Sequence, residues 1–323
     1  MNKKIIAIAI ATAMAAPVAM ADVKVSGRVN YNFTNHDTDG ASEDVRNFTD
    51  NGHARIQFDA KSGNVFGRIA RDARTDKNLS NRDQYIGYKF GGGMSVQAGR
   101  MANAGKNAEK DPYIATFLET RTSIANSNTA TKYGSNGFVD NLVQLSMKAG
   151  GVKIKVQYDA TENGNSNNSG HVGIGLAGKA GAVNYHVSYN NATADGNGGN
   201  SANTNSPSNI KAGANMKFGK AKVGLMYTSM DKDASATAVA GESTDSILVD
   251  ANFGLGSGMS VNAGYGVRDG EVAADDADYF RLAFSKKLSK GATFYAGYTS
   301  TDYDANSASA DTSEVGVGMT LKF

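Results

Sequence analysis

The sequence predicts an all-β protein, a transmembrane antiparallel β-barrel of about sixteen strands. Three observations carry that reading. Alternation with period two recurs from Val23 to Phe323, short glycine turns alternate with long polar loops, and no apolar run after the first 21 residues approaches the roughly 18 that a membrane helix needs. Successive side chains of a strand point to opposite faces, so each segment offers one apolar and one polar face. A spanning strand needs only about 9 to 11 residues with alternate ones apolar, so averaging over both faces hides it from hydropathy.

Residues 1–21, MNKKIIAIAIATAMAAPVAMA, hold two lysines, an apolar stretch from Ile5 to about Pro17, and Ala19-Met20-Ala21 before Asp22. That is the form of a cleaved secretory signal, and the stretch is too short for a membrane anchor. The expected mature chain is Asp22 to Phe323. Losing Lys3 and Lys4 brings the formal charge of +2 to neutral. Neutrality argues against a general nucleic-acid binder and against a polybasic membrane-surface protein. With no Cys, a disulfide framework is excluded as well.

In the first strand Val23, Val25, Val29, Tyr31 and Phe33 alternate with Lys24, Ser26, Arg28, Asn30 and Asn32. Ala54, Ile56, Phe58 and Ala60 follow, then Val183 to Tyr189 and Met259 to Val267 in the same rhythm. The last segment sets Val315, Val317, Met319, Leu321 and Phe323 against Glu314, Gly316, Gly318, Thr320 and Lys322. Seven tight turns, at 61–64, 90–94, 148–152, 178–182, 218–221, 254–258 and 288–292, alternate with eight long loops. The loops fall at about 35–51, 75–80, 102–138, 162–169, 192–208, 231–243, 269–276 and 303–311.

Fifteen connections join sixteen strands, predicted at 23–34, 52–61, 63–74, 81–90, 93–101, 139–148, 151–161, 170–178, 182–191, 209–218, 220–230, 244–254, 257–268, 277–288, 291–302 and 312–323. An even count puts both termini at the tight-turn rim, which in a Gram-negative outer membrane faces the periplasm. No strand carries a proline: Pro112 and Pro207 fall in loops and Pro17 in the signal. Tyr31, Phe33, Tyr88, Phe90, Tyr298 and Phe323 lie near strand ends, as aromatic girdles do. A soluble sandwich would also alternate, but it would need a large dense interior, and the apolar faces here are a thin set of Val, Ala, Leu, Phe and Tyr.

These residues resemble the trimeric general diffusion porins of Gram-negative outer membranes, over essentially the whole mature chain. The terminal strand ending in Phe323 resembles the family's barrel-insertion signal. VKVSGRVNYNF (23–33) is similar to the porin opening strand, and DQYIGYKFGGGMSVQAGR (83–100) and VDNLVQLSMKAGGVKIKVQYD (139–159) resemble later family segments. The likeness places 102–138 where porins fold their third loop into the lumen. It implies a water-filled channel for passive diffusion of small hydrophilic solutes and ions, a homotrimer, and contact with outer-membrane lipid, lipopolysaccharide and the barrel-insertion machinery.

A barrel of sixteen strands is too wide for side chains to fill, so it encloses water. Selectivity then rests on diameter and on the charges of the narrowest ring. By the resemblance, Arg28, Arg55 and Arg100 match basic wall positions, and Gln144 stands where the family commonly has an arginine, so one wall charge is missing. Glu109, Asp111 and Glu119 are the candidate acids of the inward loop, although Lys106, Lys110 and Arg121 share it.

Other sites find no support in the sequence. The histidines at 36, 53, 171 and 186 lack metal-ligand spacing, and NHDTDG (35–40) has Arg46 where a calcium loop needs glutamate. No nucleophile elbow or phosphate-binding glycine loop occurs, so no cofactor is expected. Gly264, Gly297, Gly316 and Gly318 read as bends or bulges in strands. A solute-specific channel for a sugar or oxyanion is the alternative function. A barrel enzyme would need a nucleophile beside His53 or His186, the histidines expected in strands.

Overall fold

Alternating β-branched and aromatic residues favour extended backbone, and here that preference runs through the whole chain. The computed structural model describes residues 22–39, 47–50, 52–74, 77–106, 113, 116–119, 137–159, 170–193, 208–232, 242–270, 276–304 and 310–323. The expected signal at 1–21 and the loop acids Glu109 and Asp111 lie outside the described residues.

The strands are β1 Asp22–Thr38, β2 Asn47–Asp50, β3 His53–Ser62, β4 Val65–Arg74, β5 Lys77–Lys89, β6 Ser95–Ala102, β7 Phe138–Ala149, β8 Val152–Asp159 and β9 Gly170–Ala180. They continue as β10 Val183–Thr193, β11 Ser208–Phe218, β12 Ala221–Lys232, β13 Glu242–Gly256, β14 Met259–Gly270, β15 Ala277–Lys287, β16 Ala292–Tyr303 and β17 Thr312–Lys322. Both β2 and β3 pair with β1, at its two ends, and together form one stave. The staves therefore number sixteen, each antiparallel to the next, and β17 pairs with β1 over Arg28–Thr38 to close the sheet on itself. A closed sheet leaves no unpaired edge, which is what a bilayer without water demands.

Several strands run past the expected boundaries. β1 runs on to Thr38, so Asn35–Thr38 belong to a strand and not to a loop. β5 begins at Lys77, so 77–80 pair with β4 although Lys77, Asn78, Leu79 and Ser80 carry no alternation to announce it. His36 also lies in a strand, β1, and His171 lies in β9, within the expected strand 170–178. The tight turns follow expectation: Gly63 and Gly181 sit at φ of 56° and 57°, the left-handed region that glycine enters without strain.

Polarity is inverted relative to a soluble protein. On β1, Asn30, Asn32 and Thr34 are buried, whereas Val29 and Phe33 are 45% and 52% exposed. On β17 Thr320 is buried while Val315, Val317, Met319 and Leu321 are exposed. Arg281 and Lys211 are fully buried inside, and Leu282, Phe280 and Ile210 face out. Tens of exposed apolar side chains in water would be a large cost at about 25 cal/mol per Å², so the outer belt belongs in hydrocarbon. The proposed aromatic girdle residues Tyr31, Phe33, Tyr88, Phe90, Tyr298 and Phe323 are all on this exposed face.

Candidate functional site: the lumen wall

The polar faces of β1, β3, β4 and β5 bring one group of charges together. Arg28, Arg55 and Asp72 share the inward face because register sets Arg28 opposite Arg55 and Arg55 opposite Asp72. Asp72, 6% exposed, is the hub. Its Oδ1 accepts from Arg55 Nε at 2.7 Å, its Oδ2 accepts from Arg82 Nη1 at 2.5 Å, and His53 Nε2 lies 3.4 Å from Oδ2. Arg28 stands within electrostatic reach of Arg55, Arg82, Asp72 and, from the segment between β6 and β7, Glu119. The group thus holds three guanidinium charges against one carboxylate in the wall.

Arg82 was not among the expected wall residues, and its absence has a geometric cause. Strict alternation from the inward Tyr85 would turn Arg82 outward. A β-bulge between Gln84 and Asn81, opposite Ile69 and Arg71, inserts one residue and flips the faces beyond it. The guanidinium then reaches Asp72 and lies 4.5 Å from the centroid of the Phe138 ring.

Arg100 takes no part in the Asp72 pairing, although its guanidinium lies 5.8 Å from the centroid of the same Phe138 ring. It stands opposite Gln84 and two residues from the exposed Ala98, on the outer face. Its Nη1 donates to Asp140 at 2.8 Å. Motif likeness alone selected it; in β6 it falls between Gly99 and Met101, which pair with the buried Leu142 and Val139. Gln144 does face inward. It is buried opposite Gln157, whose Nε2 donates to Gln144 Oε1 at 2.8 Å and to the Ala102 carbonyl at 2.9 Å.

The described part of the segment between β6 and β7 meets the inner wall in two places. At its start, a Cβ on Gly105 would lie 2.8 Å from Asn190 Nδ2 and 3.5 Å from Ser188 Oγ, side chains of β10. Further on, Leu118 is wholly buried and its carbonyl accepts from Arg281 Nη1 at 2.7 Å. The Arg281 guanidinium lies 4.8 Å from the Tyr113 ring centroid, donates through Nε to Asn262 at 2.9 Å, and pairs through Nη2 with Asp250. Tyr113, Leu118, Ala283 and Tyr295 form one apolar cluster, with Phe117 against it.

The strand glycines make room for these contacts. A Cβ on Gly297 would stand 2.9 Å from Leu118 Cδ2, one on Gly264 3.2 Å from Asp250 Oδ2, and one on Gly318 2.5 Å from the Tyr295 ring. Each is a seat for a neighbouring lumen side chain, where the sequence suggested bends. Among the described residues no three His, Asp or Glu side chains gather as a metal site.

Residues 7–306 match the family of Gram-negative porins. No curated protein matches the chain. Among solved structures, the outer-membrane protein OmpT of Vibrio cholerae in trimer form superposes with a TM-score of 0.67 at 16% identity, over 94% of this chain and 100% of that one. The anion-selective porin of Comamonas acidovorans gives 0.68 at 16%, with 94% and 100% covered. OmpF of Salmonella typhi in complex with daunomycin gives 0.72 at 15%, with 94% and 98% covered. At such identities the likeness is one of fold.

Proposed function

Because the chain belongs to the Gram-negative porin family and forms an outer-membrane channel for passive diffusion, we propose that Arg28, Arg55 and Arg82 line one side of its constriction and face Glu119 across it. The observation that carries this is the convergence of the three guanidinium groups on the inward face, beside a loop carboxylate within electrostatic reach of Arg28. Two contacts of the loop support its inward course: Gly105 at the β10 wall and Leu118 at β15 and β16. On this reading Glu109 and Asp111 add to the acidic side, Gln144 lines the lumen as a neutral group, and Arg100 serves the outer surface.

Charges of opposite sign across a narrow ring orient dipolar solutes and disfavour apolar ones, because an apolar molecule must displace ordered water and gains nothing from the field. The channel works by size and charge, without turnover, metal or cofactor. Residues 1–21 direct export, and the strand ending in Phe323 serves as the insertion signal. The protein assembles as a homotrimer, as the trimer form of OmpT does, within outer-membrane lipid and lipopolysaccharide.

Reversal potentials across a KCl gradient test the wall. Arg55→Ala and Arg82→Ala each shift preference toward K⁺, whereas Arg100→Ala leaves it unchanged. Unmoved potentials in the first two would remove these residues from the constriction.

A further inference from the structure

The tight-turn rim carries a charge pattern that the constriction does not explain. Six of the seven tight-turn segments contain or adjoin a lysine, and none of the seven contains an acid. Strand register shows where several of these lysines face. Gln144 and Gln157 are buried and lumen-facing, and Lys148 and Lys153 stand four residues nearer the rim on the same faces, directly opposite each other. Lys217 shares the face of the buried Lys211 and stands directly opposite Lys222.

Two directly paired like charges are a local cost to a sheet, so stability does not account for them. All four lysines are exposed, and among the described residues none has a carboxylate partner. The opposite rim has no such one-sided character: Lys77, Arg74 and Lys232 stand at strand ends there beside Asp231 and Asp269. The inward lysine pairs thus mark the tight-turn mouth alone.

We propose that the tight-turn mouth is an anion-collecting vestibule that draws small multivalent anions, phosphate-bearing or polycarboxylate, into the channel from that side. This rests on the reading of the chain as an open channel. It adds a sidedness that the Arg28, Arg55 and Arg82 ring does not supply, since solutes meet that ring from either mouth. Low-dielectric walls focus the field of a charged cleft and raise local counter-ion concentration. The Debye length is about 10 Å at 0.1 M salt and about 3 Å at 1 M, so the lysines act together in dilute salt and separately in concentrated salt.

The probe is inorganic tripolyphosphate, added to one chamber and then the other of a planar bilayer holding a single channel in 0.1 M KCl. Half-block is expected at a concentration roughly tenfold lower from one chamber than from the other, with the difference gone in 1 M KCl. The variant Lys148→Gln/Lys153→Gln/Lys217→Gln/Lys222→Gln abolishes the difference by weakening block from that chamber alone, which also identifies the tight-turn side. Should this variant fail to insert, Lys148→Gln/Lys153→Gln is expected to narrow the difference by about threefold, the share of two lysines in four on a logarithmic scale. Equal block from both chambers, or sided block that survives the substitutions, overturns the vestibule while leaving the channel intact. Absence of any conductance overturns the channel itself.

Discussion

Gly27 and Phe323 exchange two backbone hydrogen bonds, Gly27 N–H to Phe323 O at 2.9 Å and Phe323 N–H to Gly27 O at 3.2 Å. The ring of Phe323 lies directly over Gly27, where a Cβ would stand 2.6 Å from Cζ. The pair extends the β1–β17 seam at the tight-turn rim, so the small residue and the large one are complementary halves of the closure. Gly27→Val forces the ring aside and crowds the Arg55 carbonyl, which costs about 1–3 kcal/mol. Urea unfolding of the folded barrel in lipid, compared with the parent, measures it. Phe323→Ala, which removes the ring and leaves the backbone bonds, loses less than Gly27→Val plus any insertion defect.

Arg281 is the residue most sensitive to conservative change. Its three donating nitrogens serve Asn262, Asp250 and the Leu118 carbonyl from full burial. An ammonium keeps the charge but not the planar fork, so Arg281→Lys leaves at least one acceptor unserved. Arg281→Leu strands Asp250 and the Leu118 carbonyl, costing about 3 kcal/mol and freeing the 113–119 stretch from the wall. Liposome swelling with sugars of graded size reads the result as a raised exclusion limit, with Arg281→Lys intermediate.

Asp72→Asn tests the wall hub from its other side. Arg55, Arg82 and Arg28 then face one another without their shared carboxylate. The expected cost is roughly 1–3 kcal/mol, below that of a pair broken in a dry interior because lumen water screens the charges. The channel gains a net positive charge at the ring, so the reversal potential moves toward Cl⁻, opposite to the Arg55→Ala shift.

Inward and outward faces respond differently to the same substituent. Val317→Arg places a guanidinium in the lipid-facing belt and costs about 2–4 kcal/mol near the midplane. Asn184→Arg, on the lumen face beside the buried His186, is close to neutral because the side chain reaches water. Paired unfolding measurements in one lipid separate the two.

Much of the fold was legible in the sequence because a barrel writes its architecture locally. Each stave must alternate on its own and each turn must carry its glycine, so the order from Val23 to Phe323 could be read strand by strand. What escaped was set by pairing with neighbours. Lys77–Ser80 is a strand only because β4 is beside it, and Arg82 faces inward only because a bulge against Arg71 flips the parity. Gly297 reads as a weak strand residue until Leu118, far off in the chain, is seen to occupy the space. Arg28 and Arg55 lie on the inward face, where alternation and the family motif both put them; Arg100, chosen from the motif alone, lies on the outward face of its strand.

The central claim is that the exposed apolar belt meets lipid while the polar face encloses continuous water. Single-channel recording of purified protein in a planar bilayer tests it most directly. Discrete conductance steps that grow in proportion to KCl concentration are the expected result. Protein that inserts and yet passes no current in any salt would contradict it.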